Sequence, residues 1–169
     1  DNVFKKGKCL GVFQFETSGL SKLCRQLKAD NFKQLYDITT LYRPGPLHSG
    51  ETADYIQRKN GEKEWSFDHE LLEPITKDTL GLVLYQEQVM RVMHDIGGFT
   101  WATSESTRKV ITKSQGKKVF EKLRKEFVYN AVHENGLGEK EAEHIFNVVS
   151  MFGSYGFNLS HAVEYTMIS

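Results

Sequence analysis

The chain has 169 residues, 39% hydrophobic and 12% aromatic, which is enough to bury a real core and excludes a disordered tail; the simplest reading is one domain, or one large piece of a longer protein. Its 22 basic and 22 acidic side chains cancel, so an electrostatic footprint has to come from how the charges are distributed. No run approaches the roughly 18 apolar residues of a membrane span and no signal-peptide core follows Asp1-Asn2-Val3-Phe4-Lys5-Lys6, which gives no membrane partner and a cytoplasmic setting as the expectation.

In chain order, Gly11-Val12-Phe13-Gln14-Phe15 is a short hydrophobic segment, and Thr17 or Ser18 offers an N-cap to a helix with Leu20, Leu23, Cys24 and Leu27 on one stripe. Cys9 and Cys24 lack C-x-x-C spacing and read as small buried hydrophobes. Asp30 or Asn31 caps a second helix through Phe32, Leu35, Ile38 and Leu41, which must stop near Tyr42 because Pro44 disfavours helical geometry at Arg43. Arg43-Pro44-Gly45-Pro46 then reads as a loop built on a type II turn, with Gly45 at positive φ. A short helix around Thr52 to Lys59 precedes the Asn60-Gly61 turn.

Gly81-Leu82-Val83-Leu84-Tyr85 is strand-like and leads into a helix from Glu87, with Val89, Val92, Met93 and Ile96 on one face and Gly97-Gly98 at its end. A helix starting at Thr103 or Ser104 runs to about Lys113, where Ser114-Gln115-Gly116 breaks the pattern. A long helix follows with Phe120, Leu123, Phe127 and Ala131 inward, closed by Asn135-Gly136. The last clear helix runs from Glu139 to Gly153 with Ala142, Ile145, Phe146 and Val149 on one face. The fold class is therefore mainly α, with many helices and very little strand.

Between Arg108 and Lys125 eight positive side chains face one acid, Glu121, leaving about seven net negative charges for the rest of the chain. That asymmetry reads as an electrostatic footprint. Arg108 and Lys109 are the best phosphate ligands, since a guanidinium can hold two phosphate oxygens while an ammonium acts as a point charge; the competing reading is that they favour a helix C-terminus. Lys113, Lys117, Lys118, Lys122 and Lys125 read singly as a solvated face and together as a track for a nucleic-acid backbone. Tyr155 to His161, after the glycine at 153, makes either a base-stacking turn or a helix-terminating loop with buried aromatics. Arg43 in its proline-glycine loop is similarly balanced, and Tyr85-Gln86-Glu87-Gln88 reads as a structural helix start. No D-x-D pair, H-x-x-x-H, H-E-x-x-H, P-loop or G-x-S-x-G motif is present, so neither a self-contained catalytic centre nor a metal site is expected in this segment.

The order of five segments then carries a resemblance over nearly the whole length: G-V-F-Q-F-E at 11–16, L-Y-R-P-G-P-L at 41–47, Y-Q-E-Q-V-M at 85–90, T-R-K at 107–109 and Y-G-F-N-L-S-H at 155–161. The chain resembles the fingers region of the bacterial replicative DNA polymerase III alpha subunit, family C. The resemblance implies a DNA-directed DNA polymerase whose catalytic aspartates lie in a palm domain encoded N-terminal to Asp1, with Mg2+ held there, outside this chain. It also implies that the isolated segment is inactive, in keeping with an opening on Asp1 rather than methionine and an end inside an apolar stretch, both read as arbitrary cuts. Arg108 and Lys109 are then expected near the dNTP triphosphate, Asn158, Ser160 and His161 beside the nascent base pair, and Arg43 on a loop lining the active-site side. Primer-template DNA, dNTP, the rest of the polymerase chain and other replisome subunits are the expected partners. Two positions depart from the family's usual pattern: Lys109 stands where a second arginine is usual, and Leu159 where lysine is usual. A stand-alone, polymerase-derived nucleic-acid-binding module without catalysis is the alternative, and a purely protein-binding helical domain is a weaker third.

Overall fold

The computed structural model describes residues 2–113, 117–153 and 156–169. Eleven α-helices are present among them: α1 (Asn2–Lys5), α2 (Ser18–Leu27), α3 (Phe32–Leu41), α4 (Pro44–Ser49), α5 (Glu51–Lys59), α6 (Glu73–Thr76), α7 (Gln86–Asp95), α8 (Trp101–Lys113), α9 (Lys117–Asn135), α10 (Glu139–Gly153) and α11 (Leu159–Ile168). The described residues contain no sheet, so the architecture is α throughout. They gather into two compact units, one of Asp1–Trp65 with Phe157–Ser169 and one of Ser66–Gly156.

In the first unit the caps lie where short polar side chains precede apolar stripes. Thr17 accepts a hydrogen bond from the Leu20 N–H at 3.4 Å and Asn31 from the Gln34 N–H at 3.0 Å, satisfying donors that a helix start leaves open. The stripe Leu20, Cys24 and Leu27 is buried with Cys9, Phe15, Ile38 and Leu41. Thr52 Oγ1 donates to the Leu41 carbonyl at 2.9 Å and ties α5 to the end of α3. Fully buried Asp37 is compensated by Lys33 and by the Tyr55 hydroxyl, as a buried charge requires.

Two expectations fail here for identifiable reasons. Arg43-Pro44-Gly45-Pro46 is not a type II turn: Arg43 is extended (φ −141°) and Pro44 opens α4. Proline lacks only an N–H that the first helical position leaves unbonded anyway, and its fixed φ suits that position. The positive φ falls instead on Gly50 (86°), where α4 hands over to α5. The second failure is the turn expected up to His161, because α11 begins at Leu159, packs on α3 and buries Ala162 and Thr166. Ser154 and Tyr155, also part of that reading, lie outside the described residues.

The second unit is built around Phe127, fully buried on α9 between Phe99 (ring centroids 6.4 Å apart) and Phe146 (5.3 Å). Val89, Val92, Met93 and Ile96 of the α7 stripe and Ala142, Ile145, Phe146 and Val149 of α10 close the same core. The expected strand at 81–85 is absent: residues 82–84 are buried without forming a strand. The Leu84 and Tyr85 N–H groups donate to Gln88 Oε1 at 2.8 and 3.0 Å, so a side chain takes the bonds that a neighbouring strand would. α8 starts at Trp101, earlier than Thr103 or Ser104, with Thr100 Oγ1 accepting from the Thr103 N–H. The Ser114-Gln115-Gly116 break lies outside the described residues.

Gly97 marks the tightest approach in this core. A Cβ there would sit 2.3 Å from Phe127 Cδ2 and 2.8 Å from the Met93 carbonyl oxygen. Gly97→Ala is therefore expected to lower stability by about 1–3 kcal/mol through overpacking. Urea unfolding measures it, and an unchanged midpoint would mean that Phe127 moves aside freely.

Candidate nucleic-acid interface

The basic pair of α8 is held by one carboxylate. Arg108 Nε and Nη2 donate to the two oxygens of Glu105 at 2.7 and 2.8 Å, and Lys109 Nζ approaches Glu105 Oε1 at 3.2 Å. The spacing makes this geometry, since residues three and four apart are neighbours on a helix. The Arg108 hydrogen bonds, aided by Lys109, pull the Glu105 carboxyl down to about 2, so it stays ionised across the physiological range. Glu105 and the charge of Glu87 in turn raise Arg108 against a smaller desolvation penalty. Arg108 is largely covered (15% exposed), whereas Lys109, paired with the same carboxylate, projects further into solvent (58%). α8 runs on to Lys113. The pair therefore lies outside the last turn, where a helix dipole would reward positive charge, and that bland reading does not account for it.

On α9, Lys118 and Lys122 are exposed on the face opposite Phe127 and Ala131. Arg124 departs from the lysine track: it is engaged by Glu121 at 3.0 Å and by Glu143 of α10 at 2.6 Å. The side chains of Lys113 and Lys117 lie outside the described residues.

In the first unit Arg43 and His161 meet in one stack. The Arg43 guanidinium lies 3.7 Å from the centroid of the Phe157 ring, a cation–π distance. Phe157 meets His161 edge-on at 5.1 Å, and His161 meets Tyr165 at 4.1 Å. Burial lowers the Arg43 pKa from the usual arginine range, as desolvation disfavours the charged form. Asn158 spends its side-chain oxygen on the cap of α11, accepting from the His161 N–H at 2.9 Å, while Ser160 and His161 are exposed in the first turn. Sequence reasoning missed Glu105, Phe157 and Tyr165 as members of these groupings. Glu105 was signalled by its spacing to Arg108 and Lys109, and Tyr165 by its place four residues after His161, whereas nothing local signals that Arg43 meets Phe157.

Among the described residues no three His, Cys, Asp or Glu side chains gather to hold a metal ion, and no helix is long and apolar enough to cross a membrane.

Residues 2–135 match the family described as the bacterial DNA polymerase III alpha subunit finger domain. The chain is 38% identical over 167 residues to the DNA polymerase III subunit alpha of Aquifex aeolicus (strain VF5), covering 99% of this chain and 14% of that protein. It is 39% identical over 170 residues to the subunit of the same name from Halalkalibacterium halodurans, covering 99% of this chain and 15% of the relative. To that of Rickettsia conorii (strain ATCC VR-613 / Malish 7) it is 40% identical over 164 residues, covering 97% and 14%. The chain thus spans about one seventh of the length of these relatives.

Proposed function

The chain belongs to the finger-domain family of the bacterial DNA polymerase III alpha subunit, and from that premise we propose that it is the fingers segment of a replicative DNA-directed DNA polymerase, positioning the incoming dNTP and the templated primer end for nucleotidyl transfer. The observation that carries this reading is the Arg108–Lys109 pair held in register by Glu105. A guanidinium oriented by its neighbours, beside a solvent-exposed ammonium, suits a triphosphate: one fixes geometry and the other neutralises charge. Glu105 offsets one of the two positive charges, which favours release of pyrophosphate after the step.

In that step a primer 3′-hydroxyl attacks the α-phosphate of the dNTP and pyrophosphate leaves. Magnesium, when bound by carboxylates elsewhere in the polymerase, supplies the Lewis-acid chemistry. The work of this chain is orientation and charge stabilisation. We further assign Asn158, Ser160 and His161 to contacts beside the nascent base pair, Arg43 to a nucleotide-binding loop lining the active-site side, and Lys113, Lys117, Lys118 and Lys122 to the DNA backbone.

Arg108→Ala in the complete polymerase is expected to raise the apparent KM for dNTP and lower kcat, cutting kcat/KM about tenfold, the worth of one charge-assisted interaction. Primer-template affinity should change little, and Arg108→Lys should recover part of the loss. Steady-state kinetics identical to those of the parent enzyme would remove Arg108 from the site.

A further inference from the structure

The outer face of α9 carries more than charge. With about 3.6 residues per turn, positions i, i+4, i+7 and i+11 share one face, which aligns Lys118, Lys122, Lys125 and Tyr129 over about 16 Å of helix. All four are exposed, opposite the fully buried Phe127 and Ala131. Among the described residues none of the three ammonium groups pairs with a carboxylate. Of the acids on α9 beside them, Glu121 is engaged by Arg124 and Glu126 is exposed four residues after Lys122, so three ammonium groups stand against one further carboxylate and the stripe keeps a net positive charge.

At its far end the Tyr129 ring, 62% exposed, stacks on His133 with centroids 4.0 Å apart and planes 24° from parallel. His133 Nδ1 lies 2.7 Å from the Tyr129 carbonyl oxygen, which holds the imidazole in place. A pre-stacked pair of rings open to solvent is a platform for one more flat ring. Paired bases in a duplex keep their faces stacked on each other and have none to offer, whereas an unpaired base does.

We propose that the α9 face binds single-stranded DNA, its phosphates along Lys118, Lys122 and Lys125 and an unpaired base stacked on Tyr129–His133. In a polymerase the unpaired template ahead of the primer end is such a strand. The inference rests on the membership of the chain in a polymerase and not on the dNTP contacts of Arg108, so the two fail separately.

The test measures binding of the intact polymerase to labelled oligothymidylate and to a blunt duplex across a range of salt. Tyr129→Ala is expected to weaken single-strand binding about tenfold, one base stacked on an aromatic, with duplex binding and the dNTP KM unchanged, and Tyr129→Phe should retain the affinity. Replacing Lys118, Lys122 and Lys125 together by alanine should reduce the single-strand salt slope by about two. Photo-crosslinking of 5-iododeoxyuridine in the single strand is expected to mark Tyr129 or His133. Equal or no losses on single strand and duplex for Tyr129→Ala, with crosslinks only elsewhere, would overturn the proposal and leave α9 with backbone contacts alone.

Discussion

Gln88→Met is expected to destabilise the second unit by about 3 kcal/mol or more without opening a cavity, because the two side chains are similar in volume while the polar groups bonded to Gln88 lose that partner. Gln88 is buried at the start of α7, where its Oε1 accepts from the Leu84 and Tyr85 N–H groups and its Nε2 donates to the Ile75 carbonyl at 3.1 Å and to Thr79 Oγ1 at 2.7 Å. One amide thus fastens the chain before α7 to the end of α6. Each orphaned buried group costs about 1–3 kcal/mol, and the network acts as a unit. Urea unfolding with hydrogen exchange of the 84 and 85 amides measures the effect. A loss below about 1 kcal/mol, with those amides still protected, would mean that water or another group takes the place of Gln88.

Glu51 is expected to make the first unit weaken as pH rises. It is 7% exposed at the start of α5, its Oε1 is buried with no hydrogen-bond partner, and burial pushes its pKa from 4.5 up to about 7 against a smaller opposing hydrogen bond from Ser49. The folded state therefore holds this proton more tightly than the unfolded chain does. Below pH 4.5 both states are protonated and there is no penalty; between 4.5 and 7 the unfolded chain ionises first and stability falls; above 7 the full penalty applies. The shift corresponds to about 3 kcal/mol. Glu51→Gln should abolish this part of the pH dependence and stabilise the chain by about 2–3 kcal/mol at pH 8, with little change at pH 4. Urea midpoints at the two pH values decide it: parallel curves for parent and variant would show that Glu51 finds a partner when it ionises.

Much of the fold is legible because caps and stripes are local. Thr17 and Asn31 close their helix starts as short polar side chains should, and the α7, α9 and α10 stripes are the buried ones. The misreadings share one cause, a local pattern with two physical outcomes. Proline before glycine suits a turn and equally a helix start, and at Pro44 the chain adopts the helix start. Gly81-Leu82-Val83-Leu84-Tyr85 reads as a strand until Gln88 takes the N–H groups of Leu84 and Tyr85. α11 shows no apolar stripe because the residues it buries are Ala162 and Thr166, one small and one polar.

The candidate site was legible to the same degree. Arg108 and Lys109 stand out by charge, and Glu105 by its spacing to them. The Arg43–Phe157 stack joins residues more than a hundred positions apart, which no local period encodes. Asn158 and His161 were readable as polar residues after a glycine, but their helix-start geometry depends on the packing of α11 on α3.

The most direct measurement is photolabelling of the complete polymerase, assembled on primer-template, with a dNTP analogue carrying a photoreactive group on its γ-phosphate, and then mapping of the labelled peptide. Label on α8 around Arg108 and Lys109, suppressed by excess of the matching dNTP, is the expected result. Efficient, competable label confined to peptides outside this chain would contradict the account and leave Glu105, Arg108 and Lys109 as a surface ion-pair cluster.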